Sequence, residues 1–350
     1  RMSMAGMKFK KQKPLPDGYF TGMVRDKLGR KMSKSLGNSP DLLQLIDKYG
    51  ADAVRFGILI SSPAGNDLLF DEAGLEQGRN FNNKLWNALK LVKMWETKLE
   101  EPAIKNESGS EGSKEAQTHF AVQWFSNRLE QAKSDIQKLI AEFKLSEALK
   151  NLYSLIWDDF CSWYLEWVKP GFGQPLPASV YSKTISFFDE LLLWLHPFMP
   201  FVTEEIYHLL KERAPGDDLC IKQYGATVPA DPGILEKGDR LRLLLTVSRE
   251  FRQQQQMKHS EPISRIFLPK EIFGEEESLY DIIRRQLNAT ALDFNPISGH
   301  DHAGLQMIPL IGYQIGLQAE LKCHRATRPA ELAQELAHYR GFLESLTKKL

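Results

Sequence analysis

Lys31 and Lys34 stand three residues apart, with Ser33 and Ser35 beside them, in the string Gly29-Arg30-Lys31-Met32-Ser33-Lys34-Ser35-Leu36-Gly37-Asn38. An ammonium is a mobile point charge with three donors, a serine hydroxyl adds another, and glycine permits the sharp turns that aim both at one ligand. A polyphosphate suits that set, because ammoniums can stabilise charge that accumulates on a phosphoryl centre during displacement. A solvated basic surface loop has the same composition, so residue types alone leave both readings open. His300 and His302 form a His-x-His pair with no third ligand in view, and no metal site is assigned. Cys161, Cys220 and Cys323 are far apart and make no C-x-x-C, which suggests neither a zinc site nor a disulfide framework and fits a reducing cytoplasm.

The elements around the loop follow from pattern. A strand is predicted over Tyr19–Val24, a turn over Asp26–Gly29, and a helix from near Pro40 that Gly50 stops. Helix resumes over Asp52–Ile60, breaks at Ser61–Asp67, and returns after Asp71 with Leu85, Leu89, Val92 and Trp95 on one face. The asparagines flanking Phe81 could tie that helix to the loop before it or touch an RNA backbone. Residues 100–117 are polar and Gly/Ser-rich, a surface loop. Three helical stripes follow: Trp124 to Phe143, Leu149 to Tyr164, and Ala178 to Leu195. Helices joined this way bury their stripes against one another as a bundle. In Leu195-His196-Pro197-Phe198-Met199-Pro200-Phe201-Val202-Thr203-Glu204-Glu205 the prolines end one helix and Thr203 is the expected N-cap of the next. His196 reads as structural. A helix over Leu241–Gln256 leads to a small α/β element: strand Ile263–Leu268, helix Leu279–Leu287, and one or two strands over Leu305–Gln318 broken by Pro309 and Gly312. Leu332, Leu336, Tyr339, Leu343, Leu346 and Leu350 keep a heptad seam to the last residue.

Composition narrows the class. At 350 residues and 42% hydrophobic, the chain can build two or three domains with real cores, and no run approaches the roughly 18 apolar residues of a membrane span. Its zero net charge conceals a gradient. Residues 1–40 hold ten Lys or Arg against two Asp, and the rest is correspondingly acidic. A basic first segment suits a nucleotide or RNA, whereas overall neutrality argues against nucleic-acid binding by bulk charge. Arg1–Phe9 reads as the tail of an apolar helix rather than a signal peptide.

The full string Lys31-Met32-Ser33-Lys34-Ser35 resembles the signature loop of the class I aminoacyl-tRNA synthetases. Lys48 through Arg55 and Asn80 through Asn87 are similar to the segments that follow that loop in the valyl, isoleucyl and leucyl branches. Leu195 through Tyr207 resembles a hallmark of their anticodon-binding domain. Phe160 through Glu166 resembles a second such string, with Ser162 where an acidic residue is usual. Ser62 through Asp71 and Glu335 through Leu350 are similar to the valyl branch, the latter to the opening of its coiled-coil arm. Isoleucyl enzymes usually end in a zinc-binding segment, which the cysteines do not supply.

The resemblance implies a mainly α fold in four parts. Residues 1–75 would be the tail of a Rossmann-like catalytic domain, 76–262 an anticodon-binding helical bundle, 263–328 the small α/β element, and 329–350 the start of the coiled coil. It implies ATP, with Mg2+ on the nucleotide, as the cofactor, and valine and valine tRNA as partners, in the cytoplasm with no membrane. Lys34 would hold the pyrophosphate oxygens as the catalytic residue, with Lys31 and Ser33 completing the ATP-binding loop. Trp163 and Arg252 are the candidate tRNA contacts. No His-Ile-Gly-His-like string is present, so the expectation is a C-terminal part of such an enzyme, inactive alone. The alternatives are a free-standing helical RNA-binding module and an isoleucyl or leucyl fragment.

Overall fold

The computed structural model describes residues 2–14, 18, 22–62, 65–99, 119–171, 173–258, 260–294, 305–310 and 313–318. The expected coiled coil, the His300/His302 pair, the 100–117 loop and the first half of the Tyr19–Val24 strand lie outside the described residues. What is described forms two compact units, Arg1–Asp239 with Glu276–Ile282, and Arg240–Glu275 with the residues from Ile283 onward.

In the first unit a short helix, α1 (Met2–Ala5), runs into a π-turn over Gly6–Lys10, with Met2, Met4, Met7 and Phe9 all exposed. Strand β1 (Val24–Arg25) precedes the lysine loop and pairs in parallel with β2 (Leu68–Leu69), a strand just after the stretch read as a break and not itself expected. Between them lie α2 (Leu42–Tyr49) and α3 (Ala51–Ile60). Asp41 caps α2 by accepting from the Leu43 amide, and Gly50, at φ +91°, lets α3 start one residue after α2 ends.

Helix α4 (Glu72–Glu96) runs unbroken across residues 75 and 76, where a domain boundary was expected. It meets α3 with almost no gap. A Cβ on Gly78 would fall 2.6 Å from the Ala53 carbonyl oxygen, and one on Gly57 would fall 2.7 Å from the Gly74 backbone. These glycines therefore set how closely the two helices approach. Leu75 joins Leu45 and Val54 in a local core, while Phe81, Leu85, Leu89, Val92 and Trp95 line the other buried length of α4.

The bundle continues with α5 (Phe120–Ala141), α6 (Leu145–Ser154), α7 (Leu165–Val168), α8 (Ala178–Leu195) and α9 (Pro200–Leu210). The α5 stripe buries Trp124, Leu129 and Ile136 as its period requires, but Ile140 and Phe143 are exposed. Phe143 takes φ +58° in the turn to α6, which carries it off the buried face. Between α6 and α7 the residues Leu155–Tyr164 form a π-helix, so 145–168 is one rod with a widened middle. The Ser162 hydroxyl donates to the Trp157 carbonyl, five residues back, at 2.8 Å. Phe125, Phe160, Tyr164, Phe187 and Phe188 make the aromatic core, and the Tyr164 and Thr184 hydroxyls pair at 2.7 Å within it.

Helix α10 (Pro232–Gln254) carries the chain from the first unit into the second. There β3 (Ile263–Phe267) and β4 (Ala289–Asp293) pair in parallel, and β5 (Leu305–Leu310) and β6 (Tyr313–Gln318) form a hairpin, in sheet order β4-β3-β6-β5; α11 (Glu277–Gln286) lies between β3 and β4 in the chain, its residues up to Ile282 counted with the first unit. Sequence pattern missed β4. Pro309, expected to break the strand, lies within β5, an edge strand where a missing amide is tolerated.

Candidate functional site

The lysine loop is a closed hairpin before it is a loop. Met32 N donates to Val24 O at 3.0 Å, Asp26 N to Arg30 O at 2.9 Å, and Gly29 sits at φ +76° in the turn. Ser33 then extends and a single 3-10 turn forms over Lys34–Leu36. Ser33 Oγ accepts from Leu36 N at 3.3 Å and lies 3.1 Å from Ser35 Oγ, so Ser33 is the cap of the turn. Gly37 closes it at φ +63°.

The ion pairs along this stretch are selective. Arg25 bonds Asp67 at 2.5 Å, Lys27 reaches Asp71 at 3.0 Å, and Arg30 meets Asp26 at 2.7 Å. Hydrogen bonds led by the Asn38 amide hold the Asp26 carboxyl well below the usual carboxylate range. The Met23 amide does the same for Asp67, and the Ala73 amide for Asp71. All three carboxylates are therefore charged and engaged at neutral pH. Lys31 and Lys34 are both exposed, and among the described residues neither makes an ion pair. The structure thus neutralises the neighbouring cations and leaves two ammoniums beside a serine-capped turn.

On the same unit, α3 is fastened to the α8–α9 turn by two side chains. Asp52, buried at 4% exposure, accepts from Val202 N at 2.6 Å and Phe201 N at 3.4 Å. Arg55 donates to Phe198 O at 3.1 Å and Pro197 O at 3.0 Å. The carboxylate thereby caps the start of α9 and the guanidinium satisfies carbonyls at the end of α8. Thr203 is not the N-cap that its sequence context suggests. Helix α9 begins at Pro200, and Thr203 is buried inside it with its hydroxyl donating to Met199 O at 2.8 Å. Because that hydrogen is used, His196 Nδ1, 2.9 Å from Thr203 Oγ1, is the donor of their bond. Glu204, His208 and Asp218 bring ligand-type atoms within 4.8 Å of one another. His208 Nε2 lies 3.2 Å and 3.0 Å from the two carboxylates, spacings that hydrogen bonds explain without a metal.

The expected tRNA contacts fare differently. Trp163 is half-buried, its ring 5.9 Å from that of Trp167. Arg252, in the second unit, is 7% exposed and donates to the carbonyls of Lys258, Glu261 and Leu287. Its guanidinium is spent on scaffolding and is not open to serve as the tRNA contact expected of it. Of the asparagines around Phe81, Asn80 and Asn83 are exposed while Asn82 turns its side-chain oxygen inward. Sequence reasoning passed over Phe201, 65% exposed in the first turn of α9. The proline on either side of Phe198-Met199 was the available signal, because a helix opening at Pro200 puts the next residue on its rim.

Two family models match the chain: "tRNA synthetases class I (I, L, M and V)" over residues 1–71 and "Anticodon-binding domain of tRNA ligase" over residues 122–268. Among curated relatives, the valine–tRNA ligase of Bacteroides fragilis is 42% identical over 358 aligned residues, covering all of this chain and 38% of that protein. That of Porphyromonas gingivalis is 41% identical with the same coverage, and that of Bacillus cereus is 36% identical over 72% of this chain and 28% of its own length. The chain thus spans less than half the length of the curated relatives it matches.

Proposed function

Because the chain belongs to the valine–tRNA ligase family, we propose that it supplies the nucleotide loop and the tRNA-reading bundle of an enzyme that activates valine with ATP and charges valine tRNA. The observation that carries the catalytic half is the pair of exposed ammoniums, Lys31 and Lys34, which make no ion pair among the described residues, in a stretch where Arg25, Lys27 and Arg30 are each matched by a carboxylate. Two free cations on a capped turn complement the phosphate chain of ATP. Lys34 stabilises the pyrophosphate oxygens as the α-phosphorus bond to them breaks and charge accumulates there. Lys31 adds a second charge, and Ser33 keeps the turn that carries Lys34. Any Mg2+ arrives on the nucleotide, since the loop offers ammoniums and hydroxyls and its carboxylate, Asp26, is already saturated by donors.

The test is Lys34→Ala in the full-length enzyme, followed by valine-dependent ATP–pyrophosphate exchange. A cation whose contact strengthens in the transition state affects kcat more than binding. The expected loss is on the order of 10²–10³ in kcat, with the KM for valine little changed. Unaltered exchange would leave the loop as mere surface.

For the RNA half, the bundle offers aromatic faces for unpaired anticodon bases, which proteins read by stacking and edge hydrogen bonds. Among the described residues Phe201 is the best-exposed ring there. Trp163 offers part of one face, the rest being turned to Trp167.

A further inference from the structure

Between the two lysines and the hairpin that presents them stands one half-buried side chain, the amide of Asn38, whose polar atoms are all engaged within the loop. Its Oδ1 accepts from Ser33 N at 2.9 Å, and its Nδ2 donates to Lys31 O at 3.2 Å and to Asp26 Oδ2 at 3.0 Å. The amide therefore grips the backbone on both sides of Met32, between the two lysines. Asp26 is in turn fixed by three further hydrogen bonds, Oδ1 accepting from Leu28 N (3.0 Å) and Arg30 N (2.9 Å) and Oδ2 from Arg30 Nε (2.8 Å), and by the ion pair of Oδ2 with Arg30 Nη2 (2.7 Å). The Asp26 side chain is only 14% exposed, so this pairing is sheltered while the lysine ends are open.

We infer that Asn38, anchored on Asp26, is a positioning residue: it sets where Lys31 and Lys34 leave the backbone, and so where their ammoniums can meet a phosphate chain. The inference rests on the nucleotide-loop reading above. A lysine side chain is long and flexible, so its reach is decided by where its Cα is held. A glycine-bounded turn alone would let that point wander, and misplacement by about 1 Å can cost on the order of 10²-fold in rate. The polarity of the pair is also specified. Asn38 must present one acceptor to an amide and two hydrogens to oxygens, and aspartate at that position would face Lys31 O and Asp26 with oxygens instead.

The experiment compares Asn38→Ala, Asn38→Asp, Asp26→Asn and the swap Asp26→Asn/Asn38→Asp in the full-length enzyme, with Lys34→Ala alongside. Valine-dependent ATP–pyrophosphate exchange is resolved into kcat and the KM values for ATP and valine, and tRNA binding and the melting temperature report on folding. Asn38→Ala should lower kcat by on the order of 10-fold or more while leaving the KM for valine and tRNA binding unchanged. Asn38→Asp should be worse than Asn38→Ala. The swap restores one amide–carboxylate bond, so it should recover part of what Asn38→Asp loses. Loss in Lys34→Ala with wild-type rates in Asn38→Ala would overturn the positioning role alone. No loss in Lys34→Ala would overturn the nucleotide-loop reading itself. A drop in melting temperature and tRNA binding that matches the loss of rate, with no rescue by the swap, would reduce Asn38 to a structural part.

Discussion

At the scale of residues, Asp52 and Arg252 show the same physics from opposite signs. Each buries an ionisable head and satisfies it with backbone groups, as buried polar atoms require. Burial raises the Asp52 carboxyl above its ordinary value even though two amides and Arg55 pull it down. Asp52→Ala should cost about 0.5–2 kcal/mol, the range for a lost N-cap. Asp52→Asn keeps an acceptor for Val202 N and sheds the buried charge, so it should cost less. The sign with pH follows. A raised folded pKa means the proton is held more tightly in the folded state, so the contribution is present below the unfolded value and lost as pH rises through the folded one. Wild type should therefore gain on Asp52→Asn as pH falls toward the carboxylate range, which melting curves at neutral and acid pH would reveal. Asp26 runs the other way: its depressed pKa stabilises the hairpin above the ordinary value of 3.8 and fails only as pH falls below it. None of this was legible in the sequence for Asp52, whose partners are 149 and 150 positions away. The lysine loop was legible because its bonds are local: Asn38 reaches Asp26 across 12 positions, and every other bond that shapes the turn is shorter still.

At the scale of elements, pattern found the helices and misjudged what joins them. Apolar period located α4, α5, α6 and α8, because their buried stripes are what that period measures. It could not show that Arg252, in the last turn of α10, meets three converging carbonyls and donates to each. Arg252→Ala should leave those carbonyls short of donors at a cost of several kcal/mol. Arg252→Lys, with one compact head for three acceptors, should recover only part of it. A phosphate contact would behave differently, losing tRNA affinity while the melting temperature held, so the two measurements separate the roles. The π-helix of Leu155–Tyr164 was equally invisible, since one extra residue per turn shifts a stripe without erasing it.

At the scale of the whole molecule, the basic excess of residues 1–40 turns out to be partly internal. Arg25, Lys27 and Arg30 are matched, and the carboxylates of two of these pairs, Asp67 and Asp71, lie beyond residue 40. The remaining charge still predicts a salt-dependent attraction for RNA, because each phosphate contact releases counterions. The chain should bind valine tRNA with an affinity that falls as salt rises. Phe201→Ala should weaken that binding by about 1–3 kcal/mol, the range for a lost stacking face, with little change in melting temperature. Equal curves for valine tRNA and an anticodon-swapped version at one salt concentration would leave only backbone attraction. No helix among the described residues is long and apolar enough to cross a membrane. The fastening of α3 to the α8–α9 turn also limits how this architecture can be edited over generations. Asp52 and Arg55 share a helical face only because they are three residues apart, and one residue inserted between them would swing one against the other by about 100°. Surface segments can lengthen or shorten at small cost, but the count from 52 to 55 is one that no single-residue insertion or deletion can change without parting α3 from one of its two anchors on the α8–α9 turn.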